Sequence, residues 1–265
     1  MITGTFCGCG INSNDENLYV LGYSGDQNVY KWQLSTPNEL ASIPSTFTQR
    51  TGITNNTPAG FYINHAGTYY YYCSYSNVYQ VSLSTANDLT TGTETYTNST
   101  TGGQSFNNGG LIFGATWSHT GHRLYISNTS NQNIREHHLT TNWDISTAQD
   151  ATNSFNPTSV DWCYGQEWNS DGTKLWSADY RYIREYSASS AYSLSGMSTT
   201  PSTSYDLLNL NGNVTNGPSD LSGGEEVRGL AVSADGNRLY INLRNKGVYK
   251  LTMTTQNTIA DGFVF

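Results

Sequence analysis

The chain has 265 residues, only 12% of them charged, with a formal net charge of −8 and a pI near 4.9. That acidity argues against nucleic acid or an anionic membrane as partner, and no apolar run approaches the roughly 20 residues of a membrane-spanning helix. Ser, Thr, Asn and Gly supply the polarity, with 20 Tyr among them, a mixture that favours strands with hydroxyl-rich faces over helices.

Residues 1–6 carry neither the basic nor the apolar segment of a secretory signal. A ten-residue pattern then recurs five times without a gap: residues 11–20 (INSNDENLYV), 63–72 (INHAGTYYYY), 117–126 (WSHTGHRLYI), 168–177 (WNSDGTKLWS) and 232–241 (VSADGNRLYI). Three residues before each copy stands a glycine, at Gly8, Gly60, Gly114, Gly165 and Gly229. A strand glycine in every copy predicts close backbone approach, as at the centre of a radial assembly. Large apolar residues open the copies, at Ile11, Ile63, Trp117, Trp168 and Val232, and a turn glycine follows at Gly67, Gly121, Gly172 and Gly236. Asp171-Gly172 and Asp235-Gly236 are hairpin signals between two strands. The second strand starts at Leu18, Tyr70, Leu124, Leu175 and Leu239, giving repeat spacings of 52, 54, 51 and 64 residues.

After a variable loop comes a second rigid block, residues 29–40, 78–89, 134–145, 183–194 and 248–259. Val or Ile alternating with polar residues marks a third strand, followed by a turn of constant length and a weaker Thr/Ser-rich fourth strand, for example residues 91–97 or 202–207. Four antiparallel strands repeated about every 50 residues predict an all-β, five-bladed β-propeller. It forms one domain over residues 1–265, with blades near 6–48, 58–99, 112–155, 163–208 and 227–265. The terminal Phe263-Val264-Phe265 is expected as a short outer strand of the last blade, with residues 1–5 joining that blade as the alternative. Cys7 and Cys9, two apart in a strand, are expected on one face, and the four cysteines are expected to be buried free thiols.

The consensus S-x-D-G-x-x-L-Y-I, followed by V/I-x-x-x-x-L-S/T-T-x-x-D-L/I, resembles repeats of bacteriophage and marine bacterial propeller proteins. Residues 170–176, 233–241 and 139–147 carry the resemblance best, and blade one departs most, with Asp15 where the turn glycine belongs. The resemblance covers essentially the whole chain. It is specific for the fold and implies a setting, namely a virion assembled in the host cytoplasm and displayed outside the cell without a signal peptide. Implied partners are other virion proteins and host-surface glycans.

Topology divides the molecule into two faces. Turns between first and second and between third and fourth strands lie on one; the remaining loops and the inter-blade links lie on the other and vary in length. Variable loops on a rigid scaffold are where recognition usually resides, so the tentative ligand-binding set is Tyr23, Asp26, Tyr75, Asn128, Asn131, Tyr180, Arg181, Tyr182 and Arg244, with Asn133 and Lys246 nearby. Tyrosine and asparagine there would suit a sugar or protein surface; simple solvated loops are the alternative.

A funnel glycosidase would need two carboxylates about 5–9 Å apart. Asp161, Glu167, Glu225 and Glu226 are the candidates, and solvated rim carboxylates are the expectation. His119 and His122 flank a turn, and His65 is equivalent to His119 in another blade, so these are expected to lie far apart and share no metal. His137 and His138 alternate along a strand. No metal, cofactor or catalytic group is assigned. The resulting expectation is a non-enzymatic virion protein, decorating a capsid or associated with a tail, with a secreted lectin-like propeller and a funnel glycoside hydrolase as alternatives.

Overall fold

A computed structural model describes residues 5–23, 25–53, 57–75, 77–97, 106, 110–158, 163–210 and 226–264. Twenty strands form five four-stranded antiparallel sheets arranged as a ring, a five-bladed β-propeller. Blade 1 contains β1 (Phe6–Ile11), β2 (Asn17–Gly22), β3 (Val29–Gln33) and β4 (Thr48–Arg50); blade 2 contains β5 (Pro58–Ile63), β6 (Tyr69–Ser74), β7 (Val78–Leu83) and β8 (Gly92–Thr97). Blade 3 contains β9 (Ile112–Trp117), β10 (Arg123–Asn128), β11 (Asn133–His138) and β12 (Asn153–Phe155). Blade 4 contains β13 (Gly165–Trp168), β14 (Lys174–Ala178), β15 (Tyr182–Ser187) and β16 (Thr203–Asp206). In blade 5, β17 (Val227–Val232), β18 (Arg238–Leu243) and β19 (Gly247–Thr255) lead to β20 (Thr258–Val264), the outer strand expected from the C-terminal residues. Of the alternative closing strand, residues 1–5, residues 1–4 lie outside the described residues, and Thr5 O accepts from the Tyr23 N–H of blade 1.

Apolar side chains from facing sheets make one core cluster between each consecutive pair of blades, the pair formed by blades 5 and 1 included. At the axis the innermost strands meet through their glycines. A Cβ on Gly8 would lie 2.6 Å from Phe61 N, one on Gly60 2.6 Å from Phe113 O, and one on Gly114 2.7 Å from Tyr164 O. Only glycine permits that spacing. In β1 the register shifts between Phe6 and Gly8, and this bulge corrects the expectation for the cysteines. Cys7 packs in the core between blades 1 and 2, whereas Cys9 packs between blades 5 and 1. The extra residue of a bulge turns the following side chain to the other face. All four cysteines are free and buried.

The hairpin turns share one construction. Gly67, Gly121, Gly172 and Gly236 take positive φ, and Asp15 takes the same conformation at φ 59°. Each turn's carbonyl at that residue accepts a hydrogen bond from the N–H of a second left-handed residue in the same blade: Asn38, Asn87, Trp143, Tyr192 or Asn257. The turn between third and fourth strands is constant only as far as that residue. Beyond it, blades 1 to 3 add a 3₁₀ turn, at Leu40–Ser42, Leu89–Thr91 and Ile145–Thr147, while β19 and β20 join directly around Asn257.

Blade-to-blade attachment also repeats. Tyr19 and Tyr240 donate their hydroxyls to Asn87 and Asn38 of the next blade, at 2.9 and 3.1 Å. Tyr71 donates to the Trp143 carbonyl at 2.5 Å in the same way, and Tyr125 to the Tyr192 carbonyl. The third-strand residues Lys31, Gln80, Glu136, Glu185 and Lys250 reach across alongside them, to Asn87 O, Ile145 N, Leu194 N, Ile259 N and the Glu39 carboxylate. Blade 5 therefore holds blade 1 by a tyrosine hydroxyl and a third-strand side chain, as blades 1 to 3 hold their neighbours, with Ala234 N–H also donating to the Asp15 carboxylate at 3.0 Å; in blade 4 Trp176 replaces the tyrosine and donates to Glu185 of its own blade.

Glu185 is the most heavily engaged of these connectors. It is buried and accepts from Trp176 Nε1 (3.1 Å), Thr258 Oγ1 (3.0 Å) and Ile259 N (2.9 Å), with Lys174 Nζ at 2.9 Å. Glu185→Ala would leave three buried donors unpaired and should cost about 2 kcal/mol. Glu185→Gln, which keeps an acceptor, should cost less than half as much. Urea unfolding of the two variants checks the order; equal losses would mean that the hydrogen bonds are not what matters.

Candidate functional site

The β1–β2-type turns of all five blades point one residue each toward the axis: Ser13, His65, His119, Ser170 and Ala234. Together they rim a cavity of about 330 Å³ on the hairpin face, with Tyr62, Trp117, Trp168, Tyr192 and Val232 in its wall and Glu167 in its lining. This is within the size range of small-molecule sites, near its lower end. One wall, Tyr192, exists because of a left-handed position, and Trp143 at the same position of blade 3 backs the wall residues Tyr62 and Trp117. Where three blades carry Asn there, blades 3 and 4 carry Trp143 (φ 65°) and Tyr192 (φ 55°), a conformation that bulky residues rarely adopt. Gly121 and Gly172 leave room for these rings, since a Cβ on either would lie 2.3 Å from one. Trp143 packs 5.3 Å from Trp117, and Tyr192 packs 5.7 Å from Trp168 with its hydroxyl donated to Ser170 O at 2.6 Å.

His65 and His119 correct a second expectation. Their ring centroids are 4.5 Å apart. Equivalent turn positions converge because the innermost strands are pressed together at the glycine ring, so neighbouring turns open from nearly one point. Burial, and then the neighbouring His119, holds the His65 imidazole down at about 4, so it is neutral at physiological pH. Among the described residues no three His, Cys, Asp or Glu side chains group as metal ligands do.

Glu167 is buried at 8% exposure, not a solvated rim carboxylate. The innermost strand carries it inward at a position where the other blades have Gly10, Tyr62, Thr116 and Ala231. Its Oε1 accepts from Thr116 Oγ1 at 3.0 Å and from the Trp168 N–H at 3.1 Å. Oε2 makes no hydrogen bond, and Glu167 has no ion pair among the described residues. Burial pushes its carboxyl up to about 8, the two hydrogen bonds only partly opposing the shift. Among the described residues no Lys or Arg lines the cavity.

The opposite face is built differently. Tyr23, Tyr75, Tyr180 and Arg244 of the predicted set gather there around Arg228, which the sequence pattern did not single out. The Arg228 guanidinium lies 4.2 Å from the Tyr164 ring centroid, 4.7 Å from Phe113 and 5.6 Å from Tyr23. Tyr75 packs on Phe113 at 5.2 Å, and Tyr180 on Tyr164 at 5.3 Å. Glu226 pairs with both Arg228 and Arg244, the latter at 3.1 Å. Beneath Arg228 a void of about 10 Å³ remains, room for one water molecule. The axis is thus plugged at this end and open at the hairpin end.

The other predicted residues do not join this cluster. Asp26 accepts from Asn28 and Tyr30, at 2.6 and 2.9 Å, and the buried Asn128 accepts from the Asn131 N–H at 3.0 Å. Arg181 pairs with Asp206, and Tyr182 lies under the guanidiniums of Arg181 and Arg184. Among the catalytic candidates, Glu167 and Glu226 open on opposite ends of the axis and cannot flank one bond; Asp161 and Glu225 lie outside the described residues.

No family model matches the sequence, and no curated protein does. Solved structures do. The chain is 13% identical over its whole length to 70% of a functionally unknown protein from Desulfotomaculum acetoxidans, with a TM-score of 0.51. It is 12% identical over 99% of its length to 70% of the Cps50 (Swd1) β-propeller domain of Myceliophteria thermophila, at a TM-score of 0.47. Against a chain of the mitotic checkpoint complex the figures are 16% identity, 97% of this chain, 65% of that one and 0.48. At these identities the likeness concerns the fold alone.

Proposed function

We propose that the protein is a non-enzymatic recognition propeller of a virion, which holds a chemical group of a host surface or of a neighbouring virion protein in the cup on its hairpin face. The observation that carries this reading is the cup itself: aromatic walls and one carboxyl that has no ion pair among the described residues. Acid–base hydrolysis of a glycoside takes two carboxyl groups, and the cup offers only Glu167 among the described residues. The virion setting rests on the repeat resemblance. A lectin with equivalent sites per blade is less well supported, because the rim residues differ from blade to blade (Ser13, His65, His119, Ser170, Ala234) and build a single asymmetric site.

Tyr192 is the wall residue best suited to a test, being half-buried rather than part of a core. Labelled protein should bind saturably to bacterial cells or to particles lacking it, and Tyr192→Ala should weaken binding about tenfold or more with the fold retained. If wild-type protein associates with neither, the recognition reading is wrong. Detectable glycoside hydrolysis lost in Glu167→Gln would replace it with an enzymatic one.

A further inference from the structure

We infer that the cup takes a compact organic cation of the alkylammonium class, such as a quaternary ammonium head group borne on a larger molecule, seated among Tyr62, Trp117, Trp168 and Tyr192 with Glu167 as its counter-charge. This rests on the recognition reading above and narrows it to one kind of ligand.

Three observations select that class. Anions are disfavoured, because among the described residues no cationic side chain lines the cavity while its one acid lacks an ion pair. Polyhydroxylated neutral ligands need several free hydrogen-bonding groups, and in this lining Asn169, Ser170, Ser233 and the Tyr192 hydroxyl are committed to the turns while the indole N–H groups of Trp117 and Trp168 are buried in the wall. Asn169 accepts from Lys174 N at 2.9 Å and donates to Thr173 Oγ1 at 3.2 Å. Ser233 Oγ accepts from Arg238 N at 2.9 Å and donates to Asp235 at 2.5 Å, and Ser170 Oγ donates to Asn257 Oδ1 at 3.3 Å. What remains is aromatic surface, whose faces attract cations and which houses quaternary ammonium groups elsewhere in proteins. The free Oε2 of the largely buried Glu167 supplies the matching charge.

The carboxyl also sets a pH dependence. In the empty cup it keeps its proton up to about pH 8, so a cation must displace that proton. Affinity should rise roughly tenfold per pH unit toward pH 8 and level off above it. The other titratable groups facing Glu167 or the cup are Cys9 on β1, Tyr62 on β5, Tyr192, His65 and His119. Burial raises the thiol and both phenols above this range, and it lowers His65 to about 4. A His119→Gln control should keep the slope if Glu167 sets it.

The test titrates choline and tetramethylammonium against the neutral isostere 3,3-dimethyl-1-butanol and a panel of neutral monosaccharides, followed by tryptophan fluorescence and saturation-transfer NMR. Both ammonium probes should bind, the neutral isostere at least about tenfold more weakly. Glu167→Gln should lose that preference while its far-ultraviolet circular dichroism stays unchanged. Equal or tighter binding of the isostere or a sugar would overturn the assignment of ligand class and leave the recognition cup standing. So would binding of the protein to cells or particles without any affinity for the ammonium probes. Absence of both kinds of binding would sink the recognition reading itself.

Discussion

Valine at position 229 should destabilise the ring by about 3 kcal/mol or more, beyond the other inner-strand and connector substitutions considered above. Gly229 stands on β17 where blade 5 returns to blade 1. A Cβ there would lie 2.7 Å from Cys9 N and 2.8 Å from Gly8 Cα. Both contacts are backbone, so no rotamer change relieves them; β1 itself would have to move outward. That movement would open the seam at which Cys9, Tyr240 and Ala231 pack and stretch the Tyr240–Asn38 and Lys250–Glu39 contacts. Gly165 is the natural comparison. Its added Cβ would meet nothing closer than 3.4 Å, all of it Gly229 backbone, so Gly165→Ala should be tolerated far better than Gly229→Ala. Chemical denaturation of the Gly229→Val, Gly229→Ala and Gly165→Ala proteins measures all three. A Gly229→Ala no worse than Gly165→Ala would mean that the axis has slack absent from these distances.

The glycine ring was legible because crowding acts on every blade alike, and five repetitions of one requirement write a period into the sequence. Strand order and the outer position of β20 were legible for the same reason. What the pattern could not convey is how the axis ends. The cup arises from departures at repeat positions: Glu167 where the other blades have small or aromatic residues, and Tyr192, with Trp143 behind the wall, where they have Asn. Each is a single residue, invisible to periodicity until the ring brings five such positions together. The same convergence puts His65 beside His119. Seeking function only in loops of variable length directed attention to the face where Tyr23, Tyr75, Tyr180 and Arg244 close around Arg228 and fill the axis. Irregularity within the constant turns was the available signal. A bulge such as that at Cys7 leaves even less trace, since one unpaired residue changes no apolar period that a six-residue strand could display.

Glu167→Gln should make the protein more stable at pH 9 and leave it nearly unchanged at pH 4. Burial raises the carboxyl from an ordinary 4.5 to about 8 in the folded chain. Below pH 4.5 both folded and unfolded forms hold the proton, and the group adds no penalty. As pH climbs from 4.5 the unfolded chain releases its proton while the folded one retains it, so stability falls steadily until the folded carboxyl ionises near pH 8 and the loss levels off. A shift of that size corresponds to a loss on the order of 5 kcal/mol. Glutamine has no proton to lose, and its carbonyl can still accept from Thr116 Oγ1 and the Trp168 N–H, so the variant escapes the whole decline. Cys9, Tyr62 and Tyr192 titrate in both proteins and cancel in the comparison. Urea unfolding of the pair at pH 4 and pH 9 gives the answer, and an equal difference at the two pH values would show that Glu167 ionises as freely as in the unfolded chain. Such a destabilising carboxyl fits the ligand role proposed for Glu167. An organic cation in the cup would stabilise the ionised form and bring its folded pKa back toward 4.5. Choline should therefore protect the wild-type protein more at pH 9 than at pH 5, and should protect Glu167→Gln equally little at both.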